Sequence, residues 1–364
     1  MNPIKMNPVW KAPRIGASEI RLLERLSNAN GVSGDEEAIR KIVLELVEPL
    51  ADDLNIDSMG NVLVTKKGKG NNLPRVMVDA HMDEVGFMIG HGGKDGFMPF
   101  VIAGGISPSQ IVGKQVTVGE KLIPGVMGIN PIHLTSTSER TNPPVVRSLR
   151  IDVGAENGSK VKPGMRAAFA TKFQRIGPSV RGKAMDDRLG VATLITLLKN
   201  PPQNIDLLAA FTVQEELGLR GAKIAAYTLN PDMAIALDCT PALEMPMQAE
   251  GENTLYRSKL DHGPSLYVAD GATISDPRLV KHLREIASTY KIPYQIRQPG
   301  MGGTNAGAIH KEHGGIPSVS VSVPGRYLHT AASIVRINDW KNTIALIHAS
   351  LSHIDKYTLK GNRR

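Results

Sequence analysis

The chain has 364 residues, beyond the roughly 250–300 at which one hydrophobic core stops growing, so two domains are expected. Apolar residues make up 41% and charged residues 21%, ordinary globular usage, with aromatics sparse at 4%. Lys plus Arg at 43 against Asp plus Glu at 35 gives +8. The basic residues are dispersed, apart from short clusters at 66–69 and 360–364, and no basic stripe interleaved with aromatics marks a nucleic-acid binder.

The single cysteine, Cys239, excludes an internal disulfide framework and fits a reducing compartment, so a cytoplasmic location is expected. The stretch from Met1 to Trp10 has no uninterrupted apolar run. No later segment approaches the roughly 18 apolar residues that a membrane span needs. Neither secretion nor membrane insertion is expected.

In chain order, Ile20, Leu22, Leu23 and Leu26 give residues 17–28 the period of an amphipathic helix. A second helix is expected from Ser33, with Glu36 completing a capping box, as far as Leu50. Residues 54–57 and 61–65 flank Ser58-Met59-Gly60 as a hairpin, and 75–81 is a buried strand ending in His81-Met82-Asp83-Glu84. Between 86 and 180 short β-like runs such as 115–118 and 126–129 alternate with Gly and Pro, without a helical period. This segment is expected to form an inserted, barrel-like all-β domain.

Helix and strand then alternate: a helix after Asp187, a strand at 205–213, a helix at 222–229 and a strand at 233–237. They are followed by a helix at 277–290, a strand at 293–297, a glycine loop at 300–303, a strand at 317–323 and a helix at 338–354. The alternation predicts an α/β catalytic domain with a mostly parallel sheet between helices, discontinuous over 1–85 and 181–364 with 86–180 looped into it. No internal repeat is visible, so a solenoid drops out.

The candidate chemistry lies where these strands end. His81 and Asp83 share one side of an extended backbone, so the carboxylate can hold the imidazole from behind and fix its tautomer. Asp186-Asp187-Arg188 opens a helical run. Two acids could merely complement a helix dipole, but a carboxylate with two oxygens is also the natural bridge between two metals, a role given to Asp186 with Asp187 and Arg188 in support.

Glu215 and Glu216 follow a buried strand, where adjacent acids are costly unless they are paired or bind cations. Their side chains diverge, so Glu216 can ligate while Glu215 stays free as general base. Asp238 is the only charge of its strand and suits a ligand. Cys239 beside it, with no base adjacent in sequence, reads as a packing residue. A further histidine ligand is expected from His329, with His310, His313 and His133 competing for the same role. The nitrogen and carboxylate donors suit zinc, with cobalt or manganese as alternatives.

Six ordered words carry a resemblance over nearly the whole chain: 80–88 (His81 to Met88 after Ala80), 182–188, 213–218, 236–240, 302–310 and 326–330. They resemble the tetrahedral, dodecameric metallo-aminopeptidase family that includes glutamyl, leucyl, lysyl and deblocking aminopeptidases. The resemblance implies that His81 and Asp238 complete one metal's ligands and Glu216 and His329 the other's, with Asp186 bridging both. It implies Glu215 as the base and Asp83 as the residue that orients His81. The insert would serve dimerisation within a hollow twelve-subunit particle that admits peptides.

Thr304, Asn305, Arg326 and Tyr327 are the expected substrate contacts. Two departures remove negative charge from these loops: Asn305 replaces the family's usual acid, and Thr330-Ala331-Ala332-Ser333 replaces a Ser-Pro followed by an acid. Other readings are a related two-metal amidohydrolase, such as a deacylase or carboxypeptidase, and an endoglucanase-type glycoside hydrolase. The last needs its carboxylates across the scissile bond, which adjacent Glu215 and Glu216 do not obviously provide. A non-enzymatic scaffold is the weakest reading, because every core site residue is present.

Overall fold

The stripe of Leu22, Leu23 and Leu26 is buried along α1 (Ala17–Asn28). The computed structural model describes residues 10–244, 257–300 and 302–360. Residues 1–9 of the N-terminal stretch, most of the C-terminal basic cluster and Met301 of the glycine loop lie outside them.

Helix α2 (Glu37–Val47) runs into a tighter turn at Glu48–Leu50 and begins later than expected. The predicted capping box does not form. Ser33 gives its hydroxyl to Asp83, and Glu36 accepts from the N–H of Gly34 at 2.7 Å instead. β1 (Asp53–Ile56) and β2 (Val62–Lys66) make the expected antiparallel hairpin. Asp57 closes its turn by accepting from the N–H groups of Met59, Gly60 and Asn61. β3 (Arg75–His81) is buried from Val76 onward.

The inserted sheet comprises β4 (Gly86–Ile89), β5 (Phe97–Met98), β6 (Phe100–Ala103), β7 (Gln115–Val118), β8 (Ile123–Gly128), β9 (Arg150–Asp152) and β10 (Arg166–Phe169). Its order is β5-β9-β8-β7-β10-β4-β6, antiparallel throughout. The two edge strands are separated in sequence only by Pro99, so the sheet is nearly closed, which removes most free edge. Phe87 packs edge-on against Phe100 and Phe169 at its centre, each at 5.3 Å. A short helix, α3 (Thr137–Thr141), interrupts the expected all-β texture. Ser136 and Glu139 cap each other there, so one turn forms without an apolar stripe.

The chain rejoins the first sheet before residue 180. β11 (Gln174–Ile176) pairs with β12 (Ser179–Gly182), and β12 pairs in turn with a later strand of that sheet. There follow α4 (Met185–Lys199), β13 (Asp206–Thr212), α5 (Arg220–Leu229), β14 (Met233–Pro241), β15 (Ser265–Tyr267), α6 (Pro277–Tyr290) and β16 (Gln295–Arg297). α7 (Ala306–Ile309), β17 (Ser318–Arg326), β18 (Ser333–Arg336) and α8 (Ile337–Leu351) complete the chain.

The first sheet has the order β1-β2-β13-β3-β14-β17-β18-β12-β11, with β15 and β16 beside β17. Its parallel character is concentrated in the central strands β13, β3, β14 and β17 and recurs between β15 and β16, while the other pairings are antiparallel. The period of two sorts the side chains. Val76, Val78 and Ala80 join the core under α1, α2, α4 and α8, whereas Met77 joins the cluster under α5 and α7. The expected helix-sandwiched α/β sheet with an inserted β sheet is what the chain forms.

Candidate metal centre

β3 stays paired with β13 as far as His81 opposite Thr212, but it loses β14 after Asp79 opposite Ala236. β14 runs on beside β17 to Pro241 opposite Gly325. Between the diverging strands a crevice opens at their carboxyl ends, where α/β sheets place chemistry. Asp238 therefore lies within β14 and not at its end as expected, because pairing with β17 outlasts pairing with β3.

The predicted residues converge on this crevice. His81 Nε2 lies 3.2 Å from Asp186 Oδ1, and its Nδ1 lies 3.1 Å from the carbonyl oxygen and 3.4 Å from Oδ1 of Asp83. His329 Nε2 lies 3.3 Å from Asp186 Oδ2 and 3.2 Å from Glu216 Oε1, and its Nδ1 lies 2.9 Å from the carbonyl oxygen of Gly105. Asp83 is saturated. Oδ1 accepts from the N–H of Glu215 at 3.0 Å, and Oδ2 accepts from the N–H of Glu216 at 3.2 Å and from the Ser33 hydroxyl at 2.6 Å.

Potential ligand atoms lie within 4.8 Å of one another in two sets, His81/Asp186/Asp238 and Asp186/Glu216/His329, with Asp186 common to both. A third set joins Asp186, Asp187 and Cys239. Burial pushes the Cys239 thiol up, and the thiol donates to the carbonyl of Met185 at 3.1 Å. Asp187 accepts from the N–H of Gly190 at 2.9 Å, one turn into α4. Arg188 does not support Asp186 as expected. It donates to the carbonyl of Leu26 at 2.8 Å and approaches Glu84 at 3.5 Å, because Glu84 is the nearer buried anion.

Burial, together with the crowding of carboxylates and imidazoles, governs the electrostatics. Burial lifts Glu215 to about 8 and Glu216 to about 7; nearby histidine opposes the rise, and neighbouring carboxylates add to it. Burial, with Asp186 and Glu215, raises Asp238 well above the usual range. For His81 and His329 burial works against charging, but the carboxylates around them prevail and lift both, His329 to about 10. Two imidazoles amid such acids, on a crevice, form a donor set that fits divalent cations.

Backbone strain collects here as well. Ala184, Gln214, Tyr327 and His329 have φ of 53°, 55°, 60° and 57°, a left-handed conformation that costs non-glycine residues about 1–3 kcal/mol each. The other histidines lie elsewhere. His310 bonds the Ala306 carbonyl, His313 stacks on Tyr227, and His133 lies in the connection between β8 and β9.

Of the substrate candidates, Thr304 is buried against Ser320 at 2.6 Å. Asn305 is buried too, donating to Asp79 at 2.6 Å and to Thr212 at 2.9 Å. Arg326 is paired with Glu244, and Tyr327 is 48% exposed.

Sequence reasoning missed a buried cluster behind the site. Glu84 accepts from Lys183 at 2.6 Å and from the N–H of Gly31 at 3.0 Å, and Lys183 also donates to the Ala29 carbonyl at 2.9 Å. Its only sequence signal was charge inside words otherwise dominated by small and apolar residues. Ser33 was missed as well, because its position also fits a helix cap.

A family model described as M42 glutamyl aminopeptidase matches residues 60–346. A putative aminopeptidase of Acetivibrio thermocellus is 35% identical over 90% of this chain and 96% of its own length. Aminopeptidase APDkam598 of Desulfurococcus kamchatkensis superposes with a TM-score of 0.88 at 31% identity, covering 94% of this chain and 97% of its own. The TET1 peptidase of Pyrococcus horikoshii, which can assemble into a tetrahedron or a large octahedral shell, gives a TM-score of 0.81 at 31% identity, covering 92% of this chain and 100% of its own. With a matching family model over most of its length and these crevice residues in place, the chain belongs to the M42 glutamyl aminopeptidase family, enzymes that hydrolyse peptide bonds.

Proposed function

We propose that this aminopeptidase works with two divalent cations, held by His81 and Asp238 on one side and by Glu216 and His329 on the other, with Asp186 between them. One observation carries the reading: Asp186 turns its two oxygens to different histidines, Oδ1 to His81 at 3.2 Å and Oδ2 to His329 at 3.3 Å. A structural carboxylate needs no such symmetry, whereas a bridge does. The imidazole and carboxylate donors favour zinc, with cobalt or manganese as alternatives.

When bound, the cations supply Lewis acidity toward the scissile carbonyl and a water of lowered pKa. The chain's own residues do the rest. Glu215 accepts a proton from the attacking water at its carboxylate and returns it to the leaving amine nitrogen. Asp83 holds the N–H groups of Glu215 and Glu216 and the imidazole of His81, so base and ligands move as one body. Tyr327 is the exposed candidate for contact with the substrate peptide, beside Arg326. Thr304 and Asn305 act from below by fixing their loop.

Large apolar side chains at Ile132, Leu134 and Val145 are 71%, 70% and 52% exposed on the inserted domain. With the assembly of the Pyrococcus relative, they support a homo-oligomer in which dimers through this domain build a dodecamer. A cytoplasmic setting agrees with the lone buried thiol. Among the described residues no helix is long and apolar enough to cross a membrane.

The test is exhaustive chelation followed by reconstitution with zinc, cobalt or manganese, assaying aminoacyl-anilides and their N-acylated forms and weighing bound metal against protein. Release of free amino acid restored at two metals per chain is expected. Full activity after chelation, or turnover of N-acylated substrates alone, overturns the reading.

A further inference from the structure

A cavity of about 480 Å³ lies between the α1–α2 region and the inserted sheet, outside the crevice that holds the metal centre. Its size falls within the roughly 300–1,000 Å³ typical of small-ligand sites. Val32 and Leu122 give it apolar wall, and Asp35, Glu120, Lys41 and Arg166 give it charge.

These charges are not all matched. Lys41 is held by Glu37 at 2.5 Å along α2. Neither Asp35 nor Glu120 accepts a hydrogen bond from a described residue. Arg166 gives Nε to the Ser33 carbonyl at 3.2 Å and Nη1 to the Gly164 carbonyl at 2.7 Å, so Nη2 has no hydrogen bond among the described residues. Two carboxylates and one guanidinium edge remain around an apolar middle. That is the complement of a molecule with an ammonium, a carboxylate and a short apolar body.

The same wall reaches the metal centre in two bonds. Arg166 holds the carbonyl of Ser33, and the hydroxyl of Ser33 donates to Asp83 at 2.6 Å. Val32 bridges Glu84 in strand fashion, and the N–H of Gly31 bonds the Glu84 carboxylate at 3.0 Å. Movement of residues 31–33 is thereby movement of Asp83.

We infer that this cavity is a second ligand site, for a zwitterionic amino acid or short peptide, coupled to the metal centre through Arg166, Ser33 and Asp83. The ligand's carboxylate meets Arg166 Nη2, and its ammonium meets Asp35 and Glu120. Binding here is independent of the two-cation reading; its effect on turnover rests on that reading.

Calorimetry on the metal-free full-length chain, with leucine, lysine and alanyl-alanine and with their N-acetyl and amide forms, tests the site. Saturable binding of the zwitterions is expected, weakened at least tenfold when either charge is blocked. It is also expected to weaken at least tenfold in Leu122→Trp and in Ala38→Phe, two substitutions at exposed wall positions, while surviving in Asp186→Asn. Absence of binding, binding indifferent to both wall variants, or binding lost in Asp186→Asn overturns the site.

In the metal-loaded enzyme the zwitterion should change kcat at least twofold without raising KM, and Ser33→Ala should keep the binding and lose that change. A rise in KM alone, as from a product competing at the crevice, or an unchanged effect in Ser33→Ala overturns the coupling. Should the chain prove inactive after every reconstitution, the calorimetric result still stands by itself.

Discussion

The backbone N–H of Glu215 donates to Oδ1 of Asp83 at 3.0 Å, on the same oxygen that lies 3.4 Å from Nδ1 of His81. One carboxylate thus sets both the imidazole of His81, the proposed ligand, and the turn bearing Glu215, the proposed base. Asp83→Asn is expected to lower metal affinity about 10–100-fold, the usual effect of losing an outer-shell carboxylate. Competition with a chelator of known affinity measures it; affinity within twofold of the parent would remove Asp83 from this role.

Glu215 and Glu216 are neighbours with different predicted duties, and their glutamine variants should fail differently. Glu215→Gln should retain its metal and lose about 10²–10⁴ in kcat, the range of general acid–base catalysis. Glu216→Gln should lose metal first, with activity partly recovered at high metal concentration. Metal content by elemental analysis beside steady-state kinetics separates the two, and equal metal loss in both variants would contradict the division.

Asn305 stands where the resembling family has an acid, and Asp79, which accepts its amide at 2.6 Å, supplies the acid from across the pair. Burial pushes Asp79 up to about 7, with Asn305 and Thr212 opposing. A folded pKa above the unfolded 3.8 means that Asp79's contribution is complete below that value and is lost as pH rises through about 7. Asn305→Asp places a second buried carboxylate there. On metal-free protein it should cost on the order of 3 kcal/mol, more at pH 8 than at pH 5. Adding Asp79→Asn should restore most of the loss; a double variant no better than the single one would refute the pairing.

His348 accepts from the Trp10 indole at Nδ1, 2.9 Å away, and donates to the Asn200 carbonyl at 3.1 Å, so both ring nitrogens are committed to the neutral form. Burial lowers its pKa from 6.5, with Asn200 opposing. Stability from this group is therefore present above about pH 6.5 and is lost as pH falls through the lowered folded value. His348→Gln can keep both bonds without titrating. Its Tm should fall less than the parent's between pH 7 and pH 5, and parallel Tm curves would deny His348 that part.

Much of this architecture is legible in the sequence because apolar periodicity and strand-terminal polar residues are local signals. β3 announces itself by Val76, Met77 and Val78, and the hairpin by Ser58-Met59-Gly60. What distance in sequence hides is partnership. Nothing near Ser33 shows that its hydroxyl belongs to Asp83, 50 residues on, so a local cap was the natural expectation. Arg188 likewise bonds Leu26, 162 residues away, and the end of β14 was misplaced because β17, not its own composition, prolongs it. The helix α3 escaped because capping, unlike amphipathicity, needs only two residues.

The carbonyl of Gly105, just beyond β6 of the inserted sheet, holds Nδ1 of His329 at 2.9 Å. The insert is thus no removable appendage. A version of this protein trimmed to its first sheet would keep every metal-type side chain yet leave one imidazole free to turn. Grafting another relative's insert onto this body would carry the tautomer of His329 along with it, so the two parts must be exchanged as a matched pair.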